Sequence, residues 1–217
     1  MKTRTLLNAP VLIFTLALTG CQTAYYSAME SVGIHKRDIL VDRVEETKDS
    51  QETSQEEFQS ALEQLTTLVN FNGGKLQDVY DQLNDDYQSS LNAANDVTEN
   101  INKVEDVAEA LFAEWTDELE LYKNASLKRE SAKKLTETKR QFSKLLRSMR
   151  SSESKMEPVL SSLQDNVLYL KHNLNAQAIS AIKGEFSNLK RDIQLLLTDM
   201  NKSISESNKF IAEMNKS

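Results

Sequence analysis

The stretch "LTETKRQFSKLLRSMRSSESKMEPVLSSLQDNVLYL", residues 135–170, decides the fold of this chain. Large apolar side chains recur in it every seven residues, and others fill most of the half-steps between them. A stripe this narrow is typical of a coiled-coil seam rather than of the broad apolar face of a globular helix. Because the phase continues through Pro158, we predict one long helix that is kinked at this proline. The seven-spaced residues are Leu135, Phe142, Met149, Met156, Leu163 and Leu170.

A second run of apolar residues, from Leu76 to Tyr122, advances in steps of three and four. It includes Leu91 and Trp115, so we interpret Trp115 and Tyr122 as seam residues rather than as part of a ligand site. A third run extends from Ile179 to Met200. It fades toward three further seam candidates, Ile204, Ile211 and Met214.

The region before residue 70 has a weaker pattern. Apolar residues recur at helical spacing only from Phe58 to Val69. The preceding "EETKDSQETSQEE", Glu45–Glu57, has no apolar stripe. We therefore expect this segment to be either a solvated helical stalk or disordered.

The breaks between the runs coincide with turn signals. The phase slips at "YKNASL" and at "HNLNAQ", where Asn124 or Ser126, and Asn175, are suitable N-cap residues. The clearest turn is "NFNGGKLQD", residues 70–78, because Gly73 and Gly74 can adopt the left-handed conformation that ends a helix. These breaks predict helices near residues 39–71, 75–123, 126–172 and 176–215.

The predicted fold is all-α, an elongated antiparallel helical bundle or coiled coil of about four long helices. Five glycines and two prolines in 217 residues leave few breaks in the chain. Connections as short as those predicted make neighbouring helices antiparallel. We expect three parts: a lipoprotein signal peptide in residues 1–20, a lipidated tether in residues 21–37, and one helical domain in residues 38–217.

The amino-terminal segment predicts export and lipid attachment. Lys2 and Arg4 precede ten mostly apolar residues, too few to span a membrane, as in a secretory signal. The following "LTGC" resembles the bacterial lipobox, in which cleavage falls between Gly20 and Cys21 and the Cys21 sulfur is acylated. The alternative is an ordinary signal peptide with a cysteine there by chance. The resemblance implies an outer-membrane lipoprotein facing the periplasm, because Gln22 rather than aspartate follows the cysteine.

Charge argues against several partners. Cleavage before Cys21 removes Lys2 and Arg4, which leaves 24 basic and 33 acidic residues and a net charge of −9. Such a chain is not expected to bind nucleic acid. The overall charge also opposes electrostatic adhesion to anionic lipid. With one cysteine in the sequence, no intramolecular disulfide can form.

The residues needed for catalysis or metal binding are not grouped in the sequence. His35 and His172 are the only histidines, and no set of ligands has zinc-site spacing. The "NGGK" sequence lacks the spacing of a phosphate-binding loop and follows no predicted strand. We therefore expect no enzymatic activity, no catalytic residues, no metal, no cofactor and no small-molecule substrate.

Several segments resemble an uncharacterised proteobacterial family of coiled-coil lipoproteins that is defined only as a domain of unknown function. They include "YYSAMESVGIHKRDILVDRVE", "VNFNGGKLQDVYDQLNDDY", "VEDVAEALFAEWTDELE" and "VLYLKHNLNAQAI". The resemblance covers nearly the whole of the mature chain. It implies no activity, and it assigns no role to any residue.

Two functions are compatible with an anchored helical protein. The first is a structural or scaffolding role in the cell envelope, without catalysis. The second is a regulatory adaptor that docks onto an envelope machine, such as a cell-wall synthase or an efflux channel, through the turn at Asn72, Gly73, Gly74 and Lys75. The expected partners are the membrane, through the lipid anchor, and a protein or a second copy of the chain, through the helices.

Overall fold

The computed structural model describes residues 20–216, with side chains from Tyr25 onward except that of Ser27. The chain divides into two units, one ending at His35 and the other beginning at Lys36. In the first unit, helix α1 spans Gly20–Ser31, so the segment that we predicted as a tether contains a helix. The N–H of Ile34 donates to the carbonyl of Met29 at 3.0 Å, and Gly33 (φ 84°) provides the left-handed residue that this type of helix end requires.

The second unit contains four long helices. They are α2 (Lys36–Val69), α3 (Leu76–Glu118), α4 (Ala125–His172) and α5 (Ala176–Met214). A short 3-10 helix, Leu119–Leu121, follows α3. Residues 20–216 include no β-strand, and the prediction of an all-α helical bundle is confirmed.

The four helices form a square. α2 packs against α3 and α5, and α4 packs against the same two neighbours. Lys36 Nζ lies 3.0 Å from Glu114 Oε1, and the Arg37 guanidinium donates to the carbonyl of Met214, so the start of α2 meets the ends of α3 and α5. We call this end of the bundle, with the turn at residues 119–124, the near end. The far end carries the turns at residues 70–75 and 173–175.

Side-chain caps set the first residues of α4 and α5. Asn124 Oδ1 accepts from the N–H groups of Ser126 (2.9 Å) and Leu127 (3.2 Å). Asn175 Oδ1 accepts in the same way from Gln177 and Ala178, both at 3.0 Å. Of the two N-cap candidates at the near-end turn, the structure selects Asn124. These bonds satisfy backbone donors that a helix start leaves without partners.

The core is a heptad seam contributed by all four long helices. In α3 the buried positions continue in steps of three and four from Leu83 to Leu111. In α4 they continue past Pro158, which lies inside an uninterrupted helix. The largest fully buried side chains are all apolar and include Leu40, Phe58, Leu65, Leu83, Ile101, Met149, Leu163 and Leu196.

The segment Glu45–Glu57 is helical, as one of the two expectations stated, but it is neither a solvated stalk nor disordered. It forms the middle of α2. Thr47, Gln51 and Ser54 are fully buried there and continue the heptad phase from Val44 to Phe58. Their polarity hid the stripe, because only apolar residues were counted as seam positions.

These three residues belong to a larger polar region of the core, which we call the polar band. Its members are fully or almost fully buried, and they occupy seam positions, most of which are apolar elsewhere in the bundle. They are Thr47, Gln51, Ser54, Ser90, Ser148, Ser152, Ser203 and Ser207.

Contacts between helices bring several members of the band to the same level of the bundle. Gln51 Nε2 donates to Ser152 Oγ at 3.1 Å, across the diagonal from α2 to α4. The ion pair of Lys144 with Glu206 (2.7 Å) lies about one turn from Ser148 on α4 and from Ser203 on α5. Five buried polar atoms of the band find no hydrogen-bond partner among the described residues. They are Gln51 Oε1 and the Oγ atoms of Ser54, Ser90, Ser148 and Ser203.

Ion pairs between α4 and α5 lie beside the polar band. Lys144 and Lys209 donate hydrogen bonds to Glu206 and thereby lower the pKa of its carboxyl group. A hydrogen bond from Lys155 (2.6 Å) likewise lowers the pKa of Asp199. This part of the bundle therefore combines a polar interior with charged pairs at its edge.

Four residues that we predicted to lie in the long-helix seams need correction here. Tyr122 is 41% exposed and lies beyond the end of α3, in the near-end turn, so it is not a seam residue. On α3 the fully buried seam residue is Ser90, and Leu91 beside it is half-buried. On α5 the seam passes through Ser203, Ser207 and Phe210. Ile204 and Ile211 lie one position away and are half-buried.

Candidate functional site

The predicted lipid-attachment site lies at the start of α1. Gly20 and Cys21 are the first two residues of this helix, in the unit that ends at His35. The Cys21 side chain is outside the described side chains. Cleavage between Gly20 and Cys21, and acylation of the sulfur, remain predictions from the sequence.

The predicted contact turn, Asn72–Lys75, lies at the far end of the bundle. All four residues are exposed, as the prediction requires. Gly74 (φ 107°) and Gly73 (φ 155°) have positive φ values, which residues with a side chain rarely adopt. The turn is therefore accessible, and its conformation depends on its glycines. It presents few side chains that a partner could recognise specifically.

The second far-end turn carries an apolar surface that the sequence argument missed. Leu168 (50%), Tyr169 (42%) and Leu174 (38%) are exposed there. Tyr169 also lines a groove of about 390 Å³ between α4 and α5. The signal in the sequence is that "VLYLKHNL" has more apolar residues than the seam positions of α4 can bury.

The near-end turn has a different chemistry. Every residue from 120 to 127 is exposed, and three of these residues have large apolar side chains: Leu121 (77%), Tyr122 (41%) and Leu127 (52%). Lys123 lies among them, and basic residues follow in the first turns of α4. Lys128 Nζ bridges the turn to Glu120 Oε2 at 3.0 Å.

Trp115 lies between two clefts at the near end. Its indole N–H donates to Ser131 Oγ at 2.8 Å, so the half-buried ring bridges α3 and α4. One cleft, of about 290 Å³, is lined by all four long helices and includes Arg37, Leu111 and Met214. The other lies along α4 and includes Lys134. Trp115 was predicted to lie in the seam, and it instead forms the rim where the seam opens to solvent.

Among residues 20–216, no group of three or more histidine, cysteine or acidic side chains is placed to hold a metal ion. None of the described helices has an apolar stretch long enough to cross a bilayer.

The fold defines the class of the protein as an all-α antiparallel bundle with a heptad core. The sequence profile of a family described as "Protein of unknown function (DUF2959)" matches residues 25–214, and the chain belongs to this family. The match covers α2 to α5 and most of α1, in agreement with the resemblance found from the sequence. Neither the curated proteins nor the solved structures include a match to this chain.

Proposed function

We propose that this protein is a lipid-anchored, non-enzymatic spacer of the bacterial envelope, held in the outer membrane through Cys21 and extending into the periplasm. One observation carries the proposal. The chain enters the bundle at Lys36, at the near end, whereas two of the three turns that connect the four long helices lie at the far end. An anchor on Cys21 therefore attaches next to one end of the bundle and leaves the other end for presentation to a partner.

The length of the helices supports a spacing role. At 1.5 Å per residue, the 48 residues of α4 rise about 72 Å. The 15 residues from Cys21 to Lys36 reach at most about 50 Å when fully extended. An anchor on Cys21 therefore keeps the start of α2 within about 50 Å of the bilayer, a reach that is shorter than α4.

The anchor is tested by labelling and fractionation of cells that produce the wild-type chain or Cys21→Ser. We expect radiolabelled palmitate to enter the wild-type protein only. We also expect the wild type to sediment with outer membranes after a high-salt wash, and the variant to be soluble. Labelling of the serine variant, or its retention on washed membranes, would exclude anchoring through this sulfur.

The adaptor function is the second candidate, and the apolar far-end surface of Leu168, Tyr169 and Leu174 favours it. Exposed apolar side chains beside a groove are typical of a protein–protein contact. We place photo-crosslinking residues at Lys75 and Leu174, with Glu109 on the exposed face of α3 as the control. One defined partner captured from both far-end positions, but not from the control, supports the adaptor. Capture of the chain by itself alone supports a structural spacer.

A further inference from the structure

We infer that the near-end turn is a second membrane contact, which rests on an anionic bilayer surface. The surface consists of Leu121, Tyr122 and Leu127, with Lys123 and Arg129 beside them, and we call it the near-end patch. The inference rests on the proposed function in one respect, because the lipid anchor brings this end of the bundle to a membrane.

The apolar side chains of the patch are not used by the fold. Leu121 lies in the 3-10 helix, and Leu127 lies in the first turn of α4. Together with Tyr122 they are 41–77% exposed within a continuous exposed run of eight residues. Side chains of this kind next to lysine and arginine are typical of surfaces that insert shallowly between lipid headgroups.

The charge of the patch is opposite to that of the whole chain. From residue 119 to residue 134 there are five basic residues and two acidic residues, whereas the chain as a whole is at −7. One of the two acids, Glu120, is already paired with Lys128. Asp117 and Glu118 lie just before this segment, on the last turn of α3, so acidic residues end α3 and basic residues predominate in the first turns of α4. The negative net charge of the mature chain therefore does not describe this surface.

The position of the basic residues is unfavourable for the helix that carries them. The first turn of α4 contains no acidic residue but includes Lys128, and Arg129 follows directly. Positive charge at a helix start opposes the helix dipole, so these residues do not stabilise α4 there. The ion pair with Glu120 offsets this cost for Lys128, whereas Arg129 costs stability without such a contact among the described residues, as is expected where a binding surface needs it.

The far-end surface provides an internal comparison. Leu168, Tyr169 and Leu174 are exposed to a similar degree. The charges around them nearly cancel, because Asp165 and Glu185 accompany Lys171 and Lys183. Apolar exposure is thus common to both ends, and residues 119–134 of the near end carry the larger excess of basic over acidic residues. This difference selects an anionic bilayer, rather than a protein, as the occupant of the near-end patch.

The test is flotation of the acyl-free chain, residues 21–217 with Cys21→Ser, with vesicles of phosphatidylglycerol and phosphatidylcholine or of phosphatidylcholine alone. We expect binding to the anionic vesicles that weakens as salt is raised. Lys123→Gln with Arg129→Gln should weaken it about tenfold or more, since each basic residue near an anionic surface contributes about fivefold. Leu121→Ser with Leu127→Ser should also weaken it about tenfold.

Two matched variants serve as controls. Leu168→Ser with Leu174→Ser, and Lys171→Gln with Lys183→Gln, should bind the anionic vesicles as the wild type does. Absence of wild-type binding, equal binding to both kinds of vesicle, or equal losses in the far-end variants would each overturn the inference. Circular dichroism verifies that every variant retains its helices.

A second measurement does not depend on the affinity of the free chain. The chain beginning at Cys21 is coupled through that thiol to a maleimide lipid, and hydrogen exchange is compared on anionic and neutral vesicles. We expect slower exchange in residues 119–130 on the anionic vesicles only, and no change in residues 165–175. Unchanged exchange in residues 119–130 would refute the contact, whatever palmitate labelling shows for the anchor in cells.

Discussion

Two parts of α2 occupy the same heptad seam with different side chains. From Phe58 to Leu68 the seam is apolar and fully buried at each main position. From Thr47 to Ser54 it is equally buried but polar. Both parts are helical without interruption. The comparison shows that the position of a residue in the heptad and its polarity are separate properties. Packing against the neighbouring helices determines which positions are buried, but it does not require the residues at those positions to be apolar.

The two parts should differ in what they contribute to stability. Burial of apolar side chains drives folding, whereas a buried hydroxyl without a partner costs about 1–3 kcal/mol. Buried polar residues in coiled coils can instead specify which helices pair and in which register. We expect the apolar part to supply the free energy of folding and the polar band to restrict the register of the four helices.

The largest effect should come from the apolar part. Phe58→Ala should lower the free energy of unfolding by about 3–5 kcal/mol, because it leaves a cavity in a fully buried position. Ser54→Ala, one step earlier in the same seam, should not lower it and should raise it by about 1 kcal/mol or more, because the change removes a buried hydroxyl without a partner. Urea denaturation measures both variants. Equal losses would show that the band contributes as much as the apolar part.

Replacing the central residue of the band should stabilise the protein. Gln51→Leu removes the unpartnered Oε1 and adds apolar burial, so we expect a gain of about 1–3 kcal/mol. Ser152 keeps one hydrogen bond after the change, because its Oγ also donates to the carbonyl of Met149 at 2.8 Å. The exposed Gln59→Leu is the control and should leave the denaturation midpoint nearly unchanged. A clear loss in Gln51→Leu would contradict our description of the band.

The helix caps should give smaller effects that are independent of the band. Asn124→Ala and Asn175→Ala each remove two accepted hydrogen bonds and should cost about 1 kcal/mol. Neither cap contacts Gln51, so each cost should add to the effect of Gln51→Leu. Thermal unfolding of single and double variants measures this additivity. Asn→Asp at either cap retains an acceptor and should restore most of the loss.

The smallest effect should be a pH dependence at the edge of the band. The hydrogen bonds from Lys144 and Lys209 lower the pKa of Glu206 in the folded chain. The carboxylate therefore stabilises the folded state above its ordinary pKa near 4.5, and this contribution is lost as the pH falls through the lowered value.

Glu206→Gln should cost less than about 1 kcal/mol at neutral pH, as is usual for ion pairs near the surface. It should also make the loss of stability between about pH 5 and pH 3 shallower. Glu109→Gln, on the exposed face of α3, is the control. The free energy of unfolding of both variants is measured across this pH range. If the Glu206→Gln curve coincides with that of the wild type, as the control curve should, the prediction is wrong.

The sequence predicted most of the fold because heptad spacing and caps act locally. The predicted helix at residues 126–172 differs from α4, Ala125–His172, by one residue, and Asn124 explains its start. The end of α3 was placed too late. Apolar residues continue at helical spacing to Tyr122, although the regular helix stops at Glu118. A spacing rule cannot detect that stop, because it depends on how the chain turns toward α4.

The candidate sites were less predictable. Asn72–Lys75 was identified from its glycines and is exposed as expected. The polar band was missed because serine and glutamine carry no apolar signal, and only packing against three other helices buries them. The near-end patch was missed for the opposite reason. Tyr122 fits the apolar spacing, and its exposure is determined by the tertiary structure.

The position of Trp115 gives this protein a built-in optical reporter. It is the sole tryptophan of the chain, and it bridges α3 and α4 at the end that carries the near-end patch. Tryptophan emission depends on the polarity around the indole ring, and here no second indole contributes to the signal. Emission spectra and quenching by brominated lipids can therefore report events at this one end of the molecule, in the wild-type chain and without a label.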